Sequence, residues 1–244
     1  MKRMDKEPVF ISVVIPVYNE ENRIRAFLSS VVEYVRKKDF SYEIVIVDDG
    51  SKDATVTMIE SLLKEMLSGK YTILKLPANL GKGAAVKRGM LEATGEYVFF
   101  LDADGSTSIE EIDNFIPHFS SQLDMYIATR TIKHNAPLKR KFFGYGYIYL
   151  ANFMLRLGVP DITCGFKCYK QTCAQEIFSR QTLNNWSFDA EDIFIARKHG
   201  YRIKTLPVHW KHTGGSKVKV LKNVFTCGLD LFRIRIYDIK GMYA

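Results

Sequence analysis

The four cysteines, Cys164, Cys168, Cys173 and Cys227, form no C-x-x-C pair, so structural zinc is not expected and reduced, partly buried thiols are. No uninterrupted apolar stretch reaches the length of a transmembrane helix. No repeat, low-complexity block or Pro/Ser-rich linker interrupts the 244 residues, which favours a single domain. Gly81 and Gly83 do not complete G-x-G-x-x-G, because Val86 stands where the third glycine belongs. Nor does a Walker lysine precede a serine or threonine, so the dinucleotide and P-loop readings are weak. Lysines and arginines are spread along the chain without a nucleic-acid reader motif, which disfavours a nucleic-acid partner. What the chain has is a formal charge of +8, which suits acidic partners such as nucleotides, phosphates or anionic lipid.

The stretch from Tyr97 to Glu111, Y-V-F-F-L-D-A-D-G-S-T-S-I-E-E, organises the rest. An apolar run stops at Asp102 and Asp104, with Ala103 between them, and Ser108 with Glu111 has the spacing of a capping box. This reads as a buried strand, a carboxylate turn and a new helix. Residues i and i+2 of an extended chain share a side, so the two aspartates can converge on one cation. Hard oxygen ligands suit Mg2+ or Mn2+, which also take phosphate oxygens from a substrate. The plainer reading makes both aspartates turn and cap residues. Placement at a strand's C-terminal end favours the metal, because open α/β sheets gather their ligands there.

Strand–helix alternation runs from the start of the chain. Ile11 to Val17, Tyr42 to Val47 and Tyr71 to Leu76 read as buried strands, each followed by a helical segment: Glu21 to about Lys38, the turn Asp48-Asp49-Gly50-Ser51 onward to Leu67, and Lys82 to about Ala93. Asp124 to Thr129 and Tyr201 to Val208 are further strands. The pattern predicts an α/β fold with a mostly parallel sheet flanked by helices. Asp48, at a strand end, suits a uracil imide or a ribose hydroxyl; with Asp49 it also reads as a helix-start carboxylate. Lys82, at a helix start, suits a phosphate.

Two segments read in two ways each. Basic residues Lys133, Lys139, Arg140 and Lys141 lead into the aromatic, apolar segment Phe142 to Val159, which fits a membrane-surface element or a core helix. The tail from Val218 to Tyr237 is an amphipathic surface helix or a plain packing helix. Thr213 to Lys217 reads as a flexible loop of phosphate-friendly composition. His209 and His212 bracket Trp210, within reach of a metal or diphosphate or simply as surface residues. Asp189, Glu191 and Asp192 enter a helix at its N-terminal end, where acids are favoured, and one of them is available to face the site. Met1 to Pro8 is short and charged, and Phe10 to Val17 is too short for a secretory core, so a cytoplasmic protein is expected.

Together P-V-Y-N-E at Pro16 to Glu20, V-D-D-G-S at Val47 to Ser51, N-L-G-K-G at Asn79 to Gly83 and D-A-D-G at Asp102 to Gly105 resemble glycosyltransferase family 2, with its GT-A fold. D-A-D-G-S-T, D-I-T-C-G-F-K at Asp161 to Lys167, W-S-F-D-A-E at Trp186 to Glu191 and G-S-K at Gly215 to Lys217 are similar to its dolichyl-phosphate β-glucosyltransferase branch, with the mannose synthases close by. The resemblance spans about residues 10 to 220. The Gln-x-x-Arg-Trp signature of processive synthases is absent.

The resemblance implies a nucleotide-sugar-binding half over 10–130, an acceptor-binding half over 131–220 and an amphipathic tail over 221–244 that faces a membrane, in one glycosyltransferase domain. It implies an inverting, metal-dependent transfer of glucose from UDP-glucose to a dolichyl or polyprenyl phosphate, by an enzyme peripheral on the cytoplasmic face of a membrane. Pro16, Tyr18, Glu20 and Asp48 would hold the uridine. Asp102, Ala103 and Asp104 would place the sugar diphosphate, and the two aspartates its Mg2+ or Mn2+. Lys82 and Lys217 would contact the diphosphate, Arg130 and Arg140 the acceptor phosphate, and Asp161 and Asp189 would orient. The alternatives are a GDP-mannose-dependent polyprenyl-phosphate mannosyltransferase and a non-catalytic nucleotide-sugar-binding protein.

Overall fold

The computed structural model describes residues 8–67, 69–130, 138–211 and 220–244. A seven-stranded sheet runs through them in the order β3-β2-β1-β4-β6-β5-β7. The elements in chain order are β1 (Ile11–Val17), α1 (Ile24–Arg36), β2 (Tyr42–Asp48), α2 (Thr55–Met66), β3 (Tyr71–Lys75), α3 (Lys82–Glu92) and β4 (Tyr97–Leu101). There follow α4 (Ile112–Phe115), β5 (Met125–Arg130), α5 (Leu138–Leu155), β6 (Phe166–Lys170), α6 (Gln171–Arg180), α7 (Phe188–Lys198), β7 (Ile203–Val208) and α8 (Val220–Ile239).

β1, β2, β3 and β4 are parallel, as β5 is to β7. β6 runs antiparallel to both β4 and β5 and lies between them, so the stretches before and after residue 131 share one sheet. The central parallel strands β1, β2 and β4 are buried on both faces, which explains their continuous apolar runs. One core layer packs α1 and α2 against the sheet through Phe27, Val31, Leu62 and Leu63; the other packs α3, α6 and α7 through Val86, Ile177 and Ile193. Gly89 of α3 lets helix and sheet approach closely, since a Cβ there would lie 2.4 Å from Val14 Cγ1.

The expected helix after β4 is much shorter than its cap signal suggests. Ile109–Glu111 and Ile116–His118 are single 3-10 turns on either side of α4, and Pro117 cannot extend a helical ladder. The capping box does not form. The Glu111 carboxylate is buried and accepts instead from Asn114 Nδ2 (2.5 Å) and the His209 N–H (3.0 Å). Among the described residues, no helix is long and apolar enough to cross a membrane. Cys164, Cys168, Cys173 and Cys227 are all unbridged, as expected.

Candidate functional site

The C-terminal ends of β1, β2 and β4 come side by side, and each leads into a turn that binds its neighbours. After β1 the chain passes through Asn19 at φ 52°, a left-handed conformation that asparagine tolerates better than most residues. The Asn19 N–H donates to Ser51 Oγ (2.9 Å), and its Oδ1 accepts from the Lys52 N–H (2.8 Å). The Glu20 N–H donates to Thr55 Oγ1 (2.7 Å), while its carboxylate pairs with Arg23 at 2.6 Å. Pro16 lies within β1 opposite Val47, and half-buried Tyr18 follows the strand.

Asp48 and Asp49 do not cap α2, which starts only at Thr55. Buried Asp48 accepts the Ser51 N–H through both oxygens (3.2 and 3.1 Å). Asp49 reaches across to the next loop and accepts the Leu80 (2.8 Å) and Gly81 (3.0 Å) N–H groups. Burial raises its pKa, and those two donors oppose the shift. Asp49 thereby ties the turn after β2 to the start of α3.

Lys82, the first residue of α3, forms an ion pair with Asp102 at the end of β4, Nζ to Oδ1 2.6 Å. Its ammonium lies over the rings of Trp186 (4.8 Å) and Phe100 (5.1 Å), a face that favours a cation. The Lys82 side chain is 13% exposed and that of Asp102 32%, so the pair sits at the mouth of the site rather than in the core. Burial raises the Asp102 pKa, and Lys82 opposes that shift. Burial pulls the Lys82 pKa down, but Asp102 and Asp189 outweigh it and hold the ammonium charged. Ala103 is buried, and half-buried Asp104 accepts the Ser106 N–H (2.8 Å).

Gly165 fixes where Asp102 can go. A Cβ on Gly165 would lie 1.9 Å from Asp102 Oδ2 and 2.2 Å from its Cγ. The Gly165 carbonyl also accepts the Asp102 N–H (3.0 Å). The next strand carries Lys167, fully buried, whose ammonium pairs with buried Asp189 at the start of α7 and donates to the Cys164 carbonyl (3.0 Å). Burial pushes the Cys164 thiol up to about 12, so it stays protonated.

At the end of β5, Arg130 holds Asp161 in a two-point contact, Nε to Oδ2 2.7 Å and Nη2 to Oδ1 2.6 Å, and donates to Thr163 Oγ1 (2.8 Å). Its guanidinium stacks 5.6 Å from the Trp210 ring. Trp210 bridges to Thr107, and the Lys211 N–H donates to the Ser106 carbonyl (2.8 Å), so this segment lies against the D-A-D-G turn. Exposed His209 uses its backbone, not its ring, to hold Glu111. Lys217 and His212 lie outside the described residues, as does the side chain of Arg140, whose backbone belongs to α5.

Asp102, Asp104, Lys82 and Arg130 thus gather at one end of the sheet. Two carboxylates fit a hard divalent cation that takes its other ligands from water and a diphosphate. Among the described residues, no group of three or more His, Cys, Asp or Glu is placed to complete a metal site from protein alone. Sequence reasoning gave no role to Gly165, Lys167, Trp186 or Asp49 as contacts of the site. A glycine immediately before a strand, and a lysine inside one, were the available signals.

Asp192 lies deeper. Neither of its carboxyl oxygens finds a hydrogen-bond partner among the described residues, and burial raises its pKa well above the usual range, reinforced by Asp189 and Glu191 against Lys167 and Lys87. A carboxyl whose folded pKa is raised contributes stability below its unfolded pKa of about 4 and loses it as pH climbs towards the folded value. Across that window the native protein should lose about 1.4 kcal/mol per pH unit relative to Asp192→Asn. Urea unfolding of both proteins at pH 5 and pH 7 reads this; parallel pH profiles would contradict it.

The profile of "Glycosyl transferase family 2" matches residues 12–178, and the chain belongs to that family. A human dolichyl-phosphate beta-glucosyltransferase is 30% identical over 249 residues, covering 96% of this chain and 77% of the relative. The protein of that name from Saccharomyces cerevisiae is 32% identical over 263 residues, covering 99% and 79%. Glucosyl-3-phosphoglycerate synthase from Mycobacterium tuberculosis, solved with Mn2+ and uridine-diphosphate-glucose, shares the fold at TM-score 0.66 and 16% identity, over 93% of this chain and 78% of that one. Mannosyl-3-phosphoglycerate synthase from Rubrobacter xylanophilus does so at TM-score 0.70 and 15% identity, over 96% and 75%. The fold is of the GT-A type, and the chain is a hexosyltransferase that resembles the dolichyl-phosphate β-glucosyltransferases.

Proposed function

We propose that this enzyme transfers glucose from UDP-glucose to a dolichyl or polyprenyl phosphate, with inversion at the anomeric carbon. The carrying observation is the Asp102–Asp104 turn at the end of β4, with Asp102 pinned between Lys82 and Gly165. The names of the relatives supply the sugar and the lipid, and the Mn2+ and UDP-glucose bound by the M. tuberculosis neighbour support the donor.

Asp102 and Asp104 would hold Mg2+ or Mn2+, which when bound stabilises charge on the departing nucleoside diphosphate. Pro16, Tyr18, Glu20 and Asp48, at the ends of β1 and β2, hold the uridine. Lys82 and Lys217 add positive charge beside the diphosphate. Arg130, oriented by Asp161 and Thr163, meets the acceptor phosphate, with Arg140 as its second cation. A phosphate monoester, with a second pKa of about 6, is already mostly dianionic at neutral pH, so the acceptor needs no strong general base. Calorimetric titration with Mn2+ present tests the donor: UDP-glucose should bind and GDP-mannose should not. The reverse order would move the assignment to the mannosyltransferase reading.

The lipid acceptor places the enzyme on a membrane surface, as a peripheral protein on the cytoplasmic face. α5 and α8 pack on each other and turn outward Tyr149 (77% exposed), Phe153 (76%) and Ile239 (85%), together with Phe232 and Ile236. Spacings of three or four along each helix put these side chains in a stripe, and the basic run Lys139 to Lys141 opens α5. Fully burying an apolar side chain gains about 1.5–3 kcal/mol. The double variant Phe153→Glu, Phe232→Glu should therefore weaken sedimentation with anionic vesicles by roughly 10²-fold, while UDP-glucose affinity stays unchanged. Undiminished sedimentation would remove this face from the proposal.

A further inference from the structure

We propose that Tyr243 is a positioning residue for the Lys82–Asp102 pair, although it lies far from both in sequence. α8 ends in a Schellman turn: the Gly241 N–H donates to the Asp238 carbonyl (3.0 Å) and the Met242 N–H to the Tyr237 carbonyl (3.0 Å), with Gly241 at φ 74°. The turn sends the chain back into the protein and buries Tyr243 completely, edge-on to Phe194 at 5.9 Å. His199 Nε2 meets the Tyr243 carbonyl at 2.9 Å, and Arg180 Nε donates to the Ala244 carbonyl (3.0 Å).

The Tyr243 hydroxyl donates to Glu191 Oε1 (2.6 Å). Glu191 is fully buried and serves one short segment with the rest of its carboxylate. Oε1 accepts the Thr182 N–H (2.9 Å) and Oγ1 (2.5 Å), and Oε2 accepts the Leu183 N–H (2.8 Å). That segment holds the start of α3. The Asn184 carbonyl accepts the Gly83 N–H (2.8 Å), and Gln181 Nε2 donates to the Gly83 carbonyl (3.0 Å). Gly81 and Gly83 approach it so closely that a Cβ would lie 2.4 Å from the Asn184 oxygen or 2.6 Å from the Leu183 oxygen. Lys82 stands between those two glycines, under the ring of Trp186 from the same segment. Asp230 of α8 fastens the segment's far end, accepting from Asn185 Nδ2 (2.7 Å) and Ser187 Oγ (2.8 Å).

A continuous line of polar contacts therefore runs from Tyr243 through Glu191 and residues 181–184 to the backbone of Gly83, next to Lys82. Burial, and then the Glu191 charge, raise the Tyr243 pKa, so its hydroxyl remains a donor. Removing that hydroxyl leaves Glu191 one donor short without touching the site.

The inference rests on the transferase site lying at the end of β4, and not on which sugar or lipid it uses. The test is Tyr243→Phe, with Thr182→Val as a second removal of a hydroxyl from the same carboxylate. Amide hydrogen exchange on the free enzyme needs no substrate, so it decides the coupling even if UDP-glucose is not the donor. Exchange in residues 81–86 should quicken roughly tenfold in each variant, and kcat with UDP-glucose should fall roughly tenfold with KM within about twofold, as for loss of one hydrogen bond to a buried charge. A merely structural role would lower thermal stability without that split between kcat and KM. Unchanged exchange over 81–86, or unchanged kcat in an enzyme that turns over UDP-glucose, overturns the proposal.

Discussion

An Asp102→Ala enzyme should lose about 10³-fold in kcat while keeping its fold. Asp102 directly follows β4, and the Gly165 carbonyl accepts its N–H, so its backbone is held in place. Its carboxylate holds the Lys82 ammonium and, in the proposed mechanism, would also offer oxygen to a cation shared with Asp104. Removing it leaves Lys82 facing three aromatic rings without its partner. The lysine is 13% exposed and has an outlet to solvent, so the loss falls on chemistry more than on stability. Asp102→Asn keeps the volume, removes the charge and should lose nearly as much. Thermal unfolding beside initial rates separates the two effects. Wild-type rates in either variant would remove Asp102 from the mechanism.

The second large effect belongs to a residue without a side chain. Gly165→Ala should lower kcat on the order of 10²-fold, because its Cβ occupies the space of the Asp102 carboxylate. At 1.9 Å from Oδ2 the two cannot coexist, and the carboxylate must swing off its present line to Lys82. Gly165 is not at positive φ, so backbone strain plays no part. The expected signature is a folded protein with reduced kcat and a raised requirement for divalent cation. Full activity in Gly165→Ala would mean that Asp102 works from another rotamer.

The parallel half of the sheet was legible because its strands are short, largely apolar runs rich in β-branched or aromatic residues, and every expected strand there appears within a residue or so. β6 and α6 were not. β6 is only five residues long, carries Lys167 and Lys170, and joins the sheet antiparallel, out of the βαβ rhythm. The lysine inside it makes sense only beside Asp189, which arrives 22 residues later in the chain. The cap readings failed for a related reason. Asp49 and Glu111 each stand where a helix could use a carboxylate, yet the fold brings Gly81 and His209 within reach, and those N–H groups take the acids instead. The place of the D-A-D-G turn was legible, because the apolar run of β4 stops there at two carboxylates. Their pairing with Lys82, and the pairing of Arg130 with Asp161, depend on tertiary neighbours that no local spacing encodes.

Transfer of labelled glucose from UDP-glucose into an organic-extractable product tests the central claim most directly. The reaction contains polyprenyl phosphate and Mg2+ or Mn2+, with Asp104→Ala and a chelated sample alongside and GDP-mannose as the parallel donor. The account predicts lipid-bound label from UDP-glucose, lost in both controls and absent from the GDP-mannose reaction. No lipid label from either donor, in an enzyme that binds UDP-glucose tightly, would contradict it.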